Sequence, residues 1–286
     1  MDSVHIPDGF LATPVWLGLD AVSLPAIVVV ARRAQREMEE TRVPLLGVMG
    51  AFVFAAQMVN FPVGVGTSAH LVGGALLAIV LGPAAACVVM TAVLAVQAFV
   101  FQDGGILALG ANVLNMAIAG VFVGYVPYRL WHAGRTRRAA VFAAGAVSVA
   151  VSAVLAVGEL VVSGVAIPPA VLRVSLVLFA VSALAEGAIT VAVVEGIEKL
   201  SPRLIRETAP ATSWALRAVG LAAVVLATAG AVAASASPDA LQKLVGQLRV
   251  RGGPPWLEEA AAGVAGLALV EAICLVLARA VRTRSA

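Results

Sequence analysis

Apolar runs that can cross a bilayer recur along almost the whole chain, and this recurrence limits the fold more than any single motif. A membrane-crossing helix needs about 17–25 predominantly apolar residues. Runs near that length cover residues 15–31, 43–59, 69–81, 84–101, 105–128, 139–164, 170–195, 214–235 and 261–281. Gly82-Pro83 breaks any helix passing through it, so residues 69–101 divide into a short helix and its neighbour. Only 12% of the residues are charged, too few to solvate the surface of a globular domain of this size. The expected fold is therefore all-α: a polytopic membrane helical bundle with about seven helices in a core module and two more in a C-terminal module.

The charges orient the bundle. With the N-terminus outside, the loops expected in the cytoplasm carry 15 of the 19 basic residues, leaving Arg173, Lys243, Arg249 and Arg251 outside. The positive-inside rule favours this N-out, C-in arrangement over its inverse. It also accounts for the basic balance without nucleic acid, because the basic residues fall in short segments between spans. Residues 1–14 contain two aspartates and no Lys or Arg, so the start of the chain lacks the basic region of a cleaved signal and is expected to remain.

On this topology, residues 60–70, 101–105 and 163–169 share the outer side with the N-terminus, and all are rich in Gly, Pro or polar residues. Irregular backbone at membrane depth is tolerated where it is buried in protein or lines a cavity. A polar boundary at 195–207 then separates a module at 1–207 from one at 208–286.

The chemically capable residues are few. His132 lies among cytoplasmic arginines and reads as an interfacial residue. His5 and His70 both fall on the outer side in Gly/Pro-bearing segments, where they are either ordinary polar residues or a pair of metal ligands. Asp20, Glu159, Glu186 and Glu271 lie within spans; such carboxylates serve cation or proton coupling, or hold a helix interface. Cys87 and Cys274 sit in separate apolar runs and read as small core residues. Ala51 and Ala55 have the spacing that lets another helix approach closely. There is no GxxxxGK[ST] loop for ATP and no HExxH metalloenzyme motif.

Three stretches together resemble one family. HIPDGF at 5–10, NFPVGVGTSAHLVGG at 60–74 and FQDGGILALGANVLNM at 101–116 are similar to the substrate-binding membrane component of nickel/cobalt energy-coupling-factor transporters, the CbiM/NikM family. Residues 237–242, SPDALQ, resemble the PDGLE signature of the two-span accessory component of the same systems, with Ala240 and Gln242 in place of Gly and Glu. The resemblance implies a fused chain that binds cobalt(II) or nickel(II) as cargo, with no resident cofactor and no catalysis of its own. It also implies a coupling subunit and ATPase subunits as partners, in a bacterial cytoplasmic membrane.

The resemblance further implies nitrogen ligands: the ring nitrogens of His5 and His70, the backbone nitrogen of His5, and a terminal amine. An N-terminal X-His unit closes fused chelate rings that suit nickel(II) and accommodate cobalt(II). Pro7 and Asp8 would then support the ligands, Asn60, Thr67, Ser68 and Asp103 would tie the outer loops over the site, and Ala51 and Ala55 would face the coupling subunit. The family begins Met-His, whereas His5 follows Val4 here. Val4 is expected to be the residue read as initiating Met, placing the amine there; otherwise residues 1–3 fold back or another donor replaces it.

Overall fold

The structure is a computed structural model that describes residues 5–38, 42–59, 61–64, 67–201, 203–206, 217 and 220–225; for 61–64 and 67–69 it defines the backbone alone. Most of the expected module at 208–286, with Cys274, Glu271 and the SPDALQ stretch, lies outside the described residues.

The described residues form a bundle of helices joined by short connections. The helix α1 (Thr13–Glu37) starts with Pro14 in its first turn, where the missing N–H costs nothing, and contains Pro25. It is the most exposed helix, with Leu24 and Val29 more than 60% accessible. Among the described residues, five helices or continuous helical stretches, α1 among them, are long and apolar enough to cross a membrane, so these open apolar surfaces suit lipid.

The next helix, α2 (Val43–Gln57), is buried over nearly its whole length and leads to a hairpin of β1 (Phe61–Gly64) and β2 (Thr67–Ala69). The strands are antiparallel, pairing Phe61 with Ala69 and Pro62 with Ser68. A segment expected to be irregular is thus a short ribbon, the one departure from helix among the described elements.

The buried helix α3 (Gly74–Leu81) has only eight residues and follows Gly73 in the left-handed region at φ 78°. Gly82, at φ 84°, ends it, and Pro83 opens α4 (Pro83–Val96). The expected break is therefore present, made by a Gly that can take positive φ and a Pro suited to a first turn. α4 widens into a π segment, Gln97–Phe101, which stops at Gln102 with φ 54°.

Residues Leu109–Trp131 form one continuous stretch made of α5 (Leu109–Asn112), a π segment (Val113–Gly120) and α6 (Val121–Trp131). Two long helices complete the bundle, α7 (Arg137–Val162) and α8 (Pro169–Leu200), before the single turn α9 (Arg203–Arg206). α8 is about 48 Å long at 1.5 Å per residue, enough to cross a bilayer and project beyond it.

Arginines mark one end of the bundle. Arg42 Nη2 donates to the carbonyls of Val80 and Leu204 at 3.0 and 2.8 Å, closing the last turns of α3 and α9. Arg137 and Glu198 form an ion pair at 2.5 Å between the start of α7 and the end of α8. The other end gathers the start of α1, the hairpin, the start of α3 and the Asp103-Gly104-Gly105 loop.

Ala51 and Ala55 are 6% and 0% exposed within the hydrophobic core. Among the described residues, the small-residue spacing on α2 thus lies in the chain's own packing.

Candidate metal site

The site is built where the non-helical N-terminal segment, residues 5–10, lies under the Asp103-Gly104-Gly105 loop. Ile6 is fully buried, and the side-chain amide of Asn112 engages both polar atoms of its backbone: Ile6 N–H donates to Asn112 Oδ1 at 2.8 Å, and Asn112 Nδ2 donates to Ile6 O at 3.1 Å. Gly105 N–H donates to the same carbonyl at 2.9 Å. Residue 6 is thus held as if it were a rung of a sheet.

The Gly pair makes this approach possible. Gly104 has φ 76°, and a Cβ there would lie 3.1 Å from Asn112 Nδ2 and 3.5 Å from His5 Cβ. A Cβ on Gly105 would collide with the Asp8 carboxylate. That carboxylate accepts the N–H groups of Ile106, Leu107 and Ala108 at 3.0, 2.8 and 3.3 Å, taking donors just ahead of α5 that would otherwise be unpaired. Asp8 therefore ties the N-terminal segment to the helix behind it. Asp20 acts similarly about two turns along α1, accepting Gly110 N–H at 2.9 Å where no Cβ could fit.

His5 and His70 are brought together. Their rings stack with centroids 5.8 Å apart and planes 23° from parallel, and the residues are 1% and 4% exposed. His70 Nδ1 lies 2.8 Å from Leu71 O, which assigns the proton to Nδ1 and leaves Nε2 as the acceptor. Asp103, 6% exposed, reaches within 3.7 Å of His5 Nδ1. Among the described residues, both ring nitrogens of His5 and Asp103 Oδ1 are buried without a hydrogen-bond partner. Burial, reinforced by the neighbouring His70 ring, holds His5 well below the usual histidine pKa, so it stays neutral and its lone pair remains available.

Two buried imidazoles are the donor type a divalent transition metal prefers, although no group of three or more His, Cys, Asp or Glu side chains placed to hold a metal occurs among the described residues. Imidazole suits nickel and cobalt, whereas a pair of neutral rings with one carboxylate is poor company for calcium or magnesium. Unpaired buried nitrogen is costly unless a ligand satisfies it.

A second layer holds His70. Gln97 Nε2 donates to Gln57 Oε1 at 2.8 Å, and Gln57 Nε2 donates to Val72 O at 2.7 Å. Glu186, 2% exposed in the middle of α8, accepts the N–H groups of Val72 and Gly73. Pro7 joins the held Ile6 to Asp8. Thr67 and Ser68 lie on β2, two to three residues from His70, while Asn60 and Val4 are outside the described residues. Sequence reading missed Asn112, Gln57 and Gln97; polar amides inside apolar helices were the available signal. His132 is far along the chain at the end of α6, where its Nδ1 bonds the carbonyls of Tyr128 and Arg129.

Helices of this length and hydropathy around a buried imidazole pair define a multi-pass membrane protein with a candidate transition-metal site. Residues 5–204 match the cobalt uptake substrate-specific transmembrane region, CbiM, and the chain belongs to that family. It is 41% identical over 221 residues to a protein of Archaeoglobus fulgidus named as a fused nickel transport protein, NikMN, covering 76% of this chain and 72% of the relative. A protein of Haloquadratum walsbyi named as a metal transport protein is 46% identical over 53% of this chain and 69% of its own length. In structure, the chain is similar to a truncated transition metal transporter, with TM-score 0.52 and 28% identity over 68% of this chain and 99% of the other. Metal is accordingly the cargo of these relatives.

Proposed function

We propose that this chain is the substrate-specific membrane subunit of an ATP-driven energy-coupling-factor transporter and that it captures cobalt(II) or nickel(II) at His5 and His70. The observation that carries the reading is the stacked, buried imidazole pair with unsatisfied His5 nitrogens beside Asp103. The metal is held by the His5 and His70 rings, with the backbone nitrogen of His5 and an N-terminal amine completing a nitrogen set. Asp8 and Asn112 fix the segment carrying His5, while Gln57 and Glu186 fix the segment carrying His70. Pro7 limits how the segment leaves the metal, and Asn60, Thr67, Ser68 and Asp103 serve to tie the outer segments over the site.

The chain takes metal from the outer side of a bacterial cytoplasmic membrane, N-out and C-in, and releases it inward after reorienting. ATP is hydrolysed by partner ATPase subunits joined through a transmembrane coupling subunit. Residues 208–286 form a fused two-span accessory module.

Uptake into vesicles containing this chain with its ATPase and coupling partners tests the reading. Metal accumulation should require ATP and survive collapse of the proton gradient. Accumulation by the chain alone, lost with that gradient, would instead establish an autonomous proton-coupled carrier.

A further inference from the structure

We propose that Glu186 is a positioning residue for metal capture, aiming His70 by clamping the start of α3 from the middle of α8. The inference rests on His70 being a metal ligand, as argued above.

A carboxylate buried halfway along an apolar helix needs a reason, and here both oxygens have one. Glu186 Oε2 accepts Val72 N–H and Oε1 accepts Gly73 N–H, each at 2.8 Å. These donors precede the first turn of α3, whose N-cap residue Gly73 offers no side-chain cap. A helix buried at its N-terminus cannot leave such donors to water, and a negative charge is favoured there. The cap comes instead from more than 110 residues away in sequence.

The clamp reaches the ligand through very little chain. Val72 is gripped on both sides, its N–H by Glu186 on α8 and its carbonyl by Gln57 on α2 at 2.7 Å. The preceding carbonyl, Leu71 O, holds Nδ1 of the His70 ring. A shift of the Val72 peptide therefore turns the imidazole that must point Nε2 at the metal. α8 comes close enough because two glycines remove side chains at its contact with α7: a Cβ on Gly145 would lie 2.9 Å from Glu186 O, and one on Gly187 would lie 2.7 Å from Phe142 O. With both carboxylate oxygens occupied by backbone N–H groups, Glu186 acts as a fixed acceptor, and α8 is mechanically joined to the metal-facing histidine.

Purified full-length protein titrated with nickel(II) and with cobalt(II), read by the visible absorption of the bound ion, tests this. Glu186→Gln preserves size but presents an amide N–H₂ to one of the two backbone donors. The expected result is a 10–100-fold loss of affinity, the range seen when a ligand's supporting partner is removed. The spectrum of the remaining bound metal should also change, at unaltered helix content. Gln57→Ala, which loosens the same peptide from the other side, should alter the spectrum too. Glu159→Gln changes a buried carboxylate that bonds Asn115 Nδ2 and should leave affinity and spectrum as in the wild type.

A folded Glu186→Gln protein with wild-type affinity and spectrum would overturn the inference alone. If that variant does not fold, an unchanged spectrum in folded Gln57→Ala would do the same. Wild-type protein that binds neither ion would overturn the metal site and this inference together.

Discussion

Asn112 holds Ile6 at both polar backbone atoms, accepting its N–H at 2.8 Å and donating to its carbonyl at 3.1 Å. The residue that follows His5 is thereby fixed to the start of the central helical stretch, so the direction in which His5 leaves the backbone is set by α5 rather than by the N-terminal segment itself.

Asn112→Ala leaves the Ile6 N–H buried without its partner, a loss of about 1–3 kcal/mol. Metal affinity should fall at least tenfold, read by titration, and thermal unfolding should shift downward. Asn112→Asp, which keeps the acceptor but removes the donor to Ile6 O, should recover part of the loss because Gly105 still serves that carbonyl.

Gly105→Ala drives a methyl group into the Asp8 carboxylate, and Asp8→Ala removes the acceptor for three N–H groups ahead of α5. Each should weaken metal binding and lower the unfolding temperature. The two changes act on one contact, so the double variant should lose less than the sum of the single losses, a non-additivity measurable as a double-mutant cycle.

Arg137 and Glu198 pair at the far end of the bundle, with side chains less than one-fifth exposed. Arg137→Ala should destabilise the bundle by about 1–3 kcal/mol, between the effects of surface and fully buried pairs. Metal affinity in the folded fraction should be unchanged, which separates stability from the site in equilibrium unfolding and titration run side by side.

Much of the architecture was legible because hydropathy and helix breakers are local signals. The helices of the described module follow the apolar runs, and Gly82-Pro83 separates α3 from α4 as its backbone chemistry requires. His5, His70, Asp8 and Asp103 were visible as polar residues in Gly/Pro-rich segments between or ahead of apolar runs. Tertiary relations were less accessible. Glu186 read equally well as a coupling carboxylate, since nothing in its neighbourhood on α8 reports that Val72 and Gly73 face it. Ala51 and Ala55 fit a docking motif because a uniformly apolar helix hides which face is covered. The hairpin at Phe61–Ala69 escaped notice because Pro62, Gly64 and Gly66 argue against strand while the fold pairs the flanking residues anyway.

The central claim is that His5 and His70 together bind the transported metal. Equilibrium competition between nickel(II) and cobalt(II) on the purified chain, with metal content determined directly, tests it in three samples: wild type, His5→Ala and His70→Ala. The account predicts about one tightly held ion per wild-type chain and loss of tight binding in both variants. Retention of the ion at wild-type affinity in either variant would contradict it.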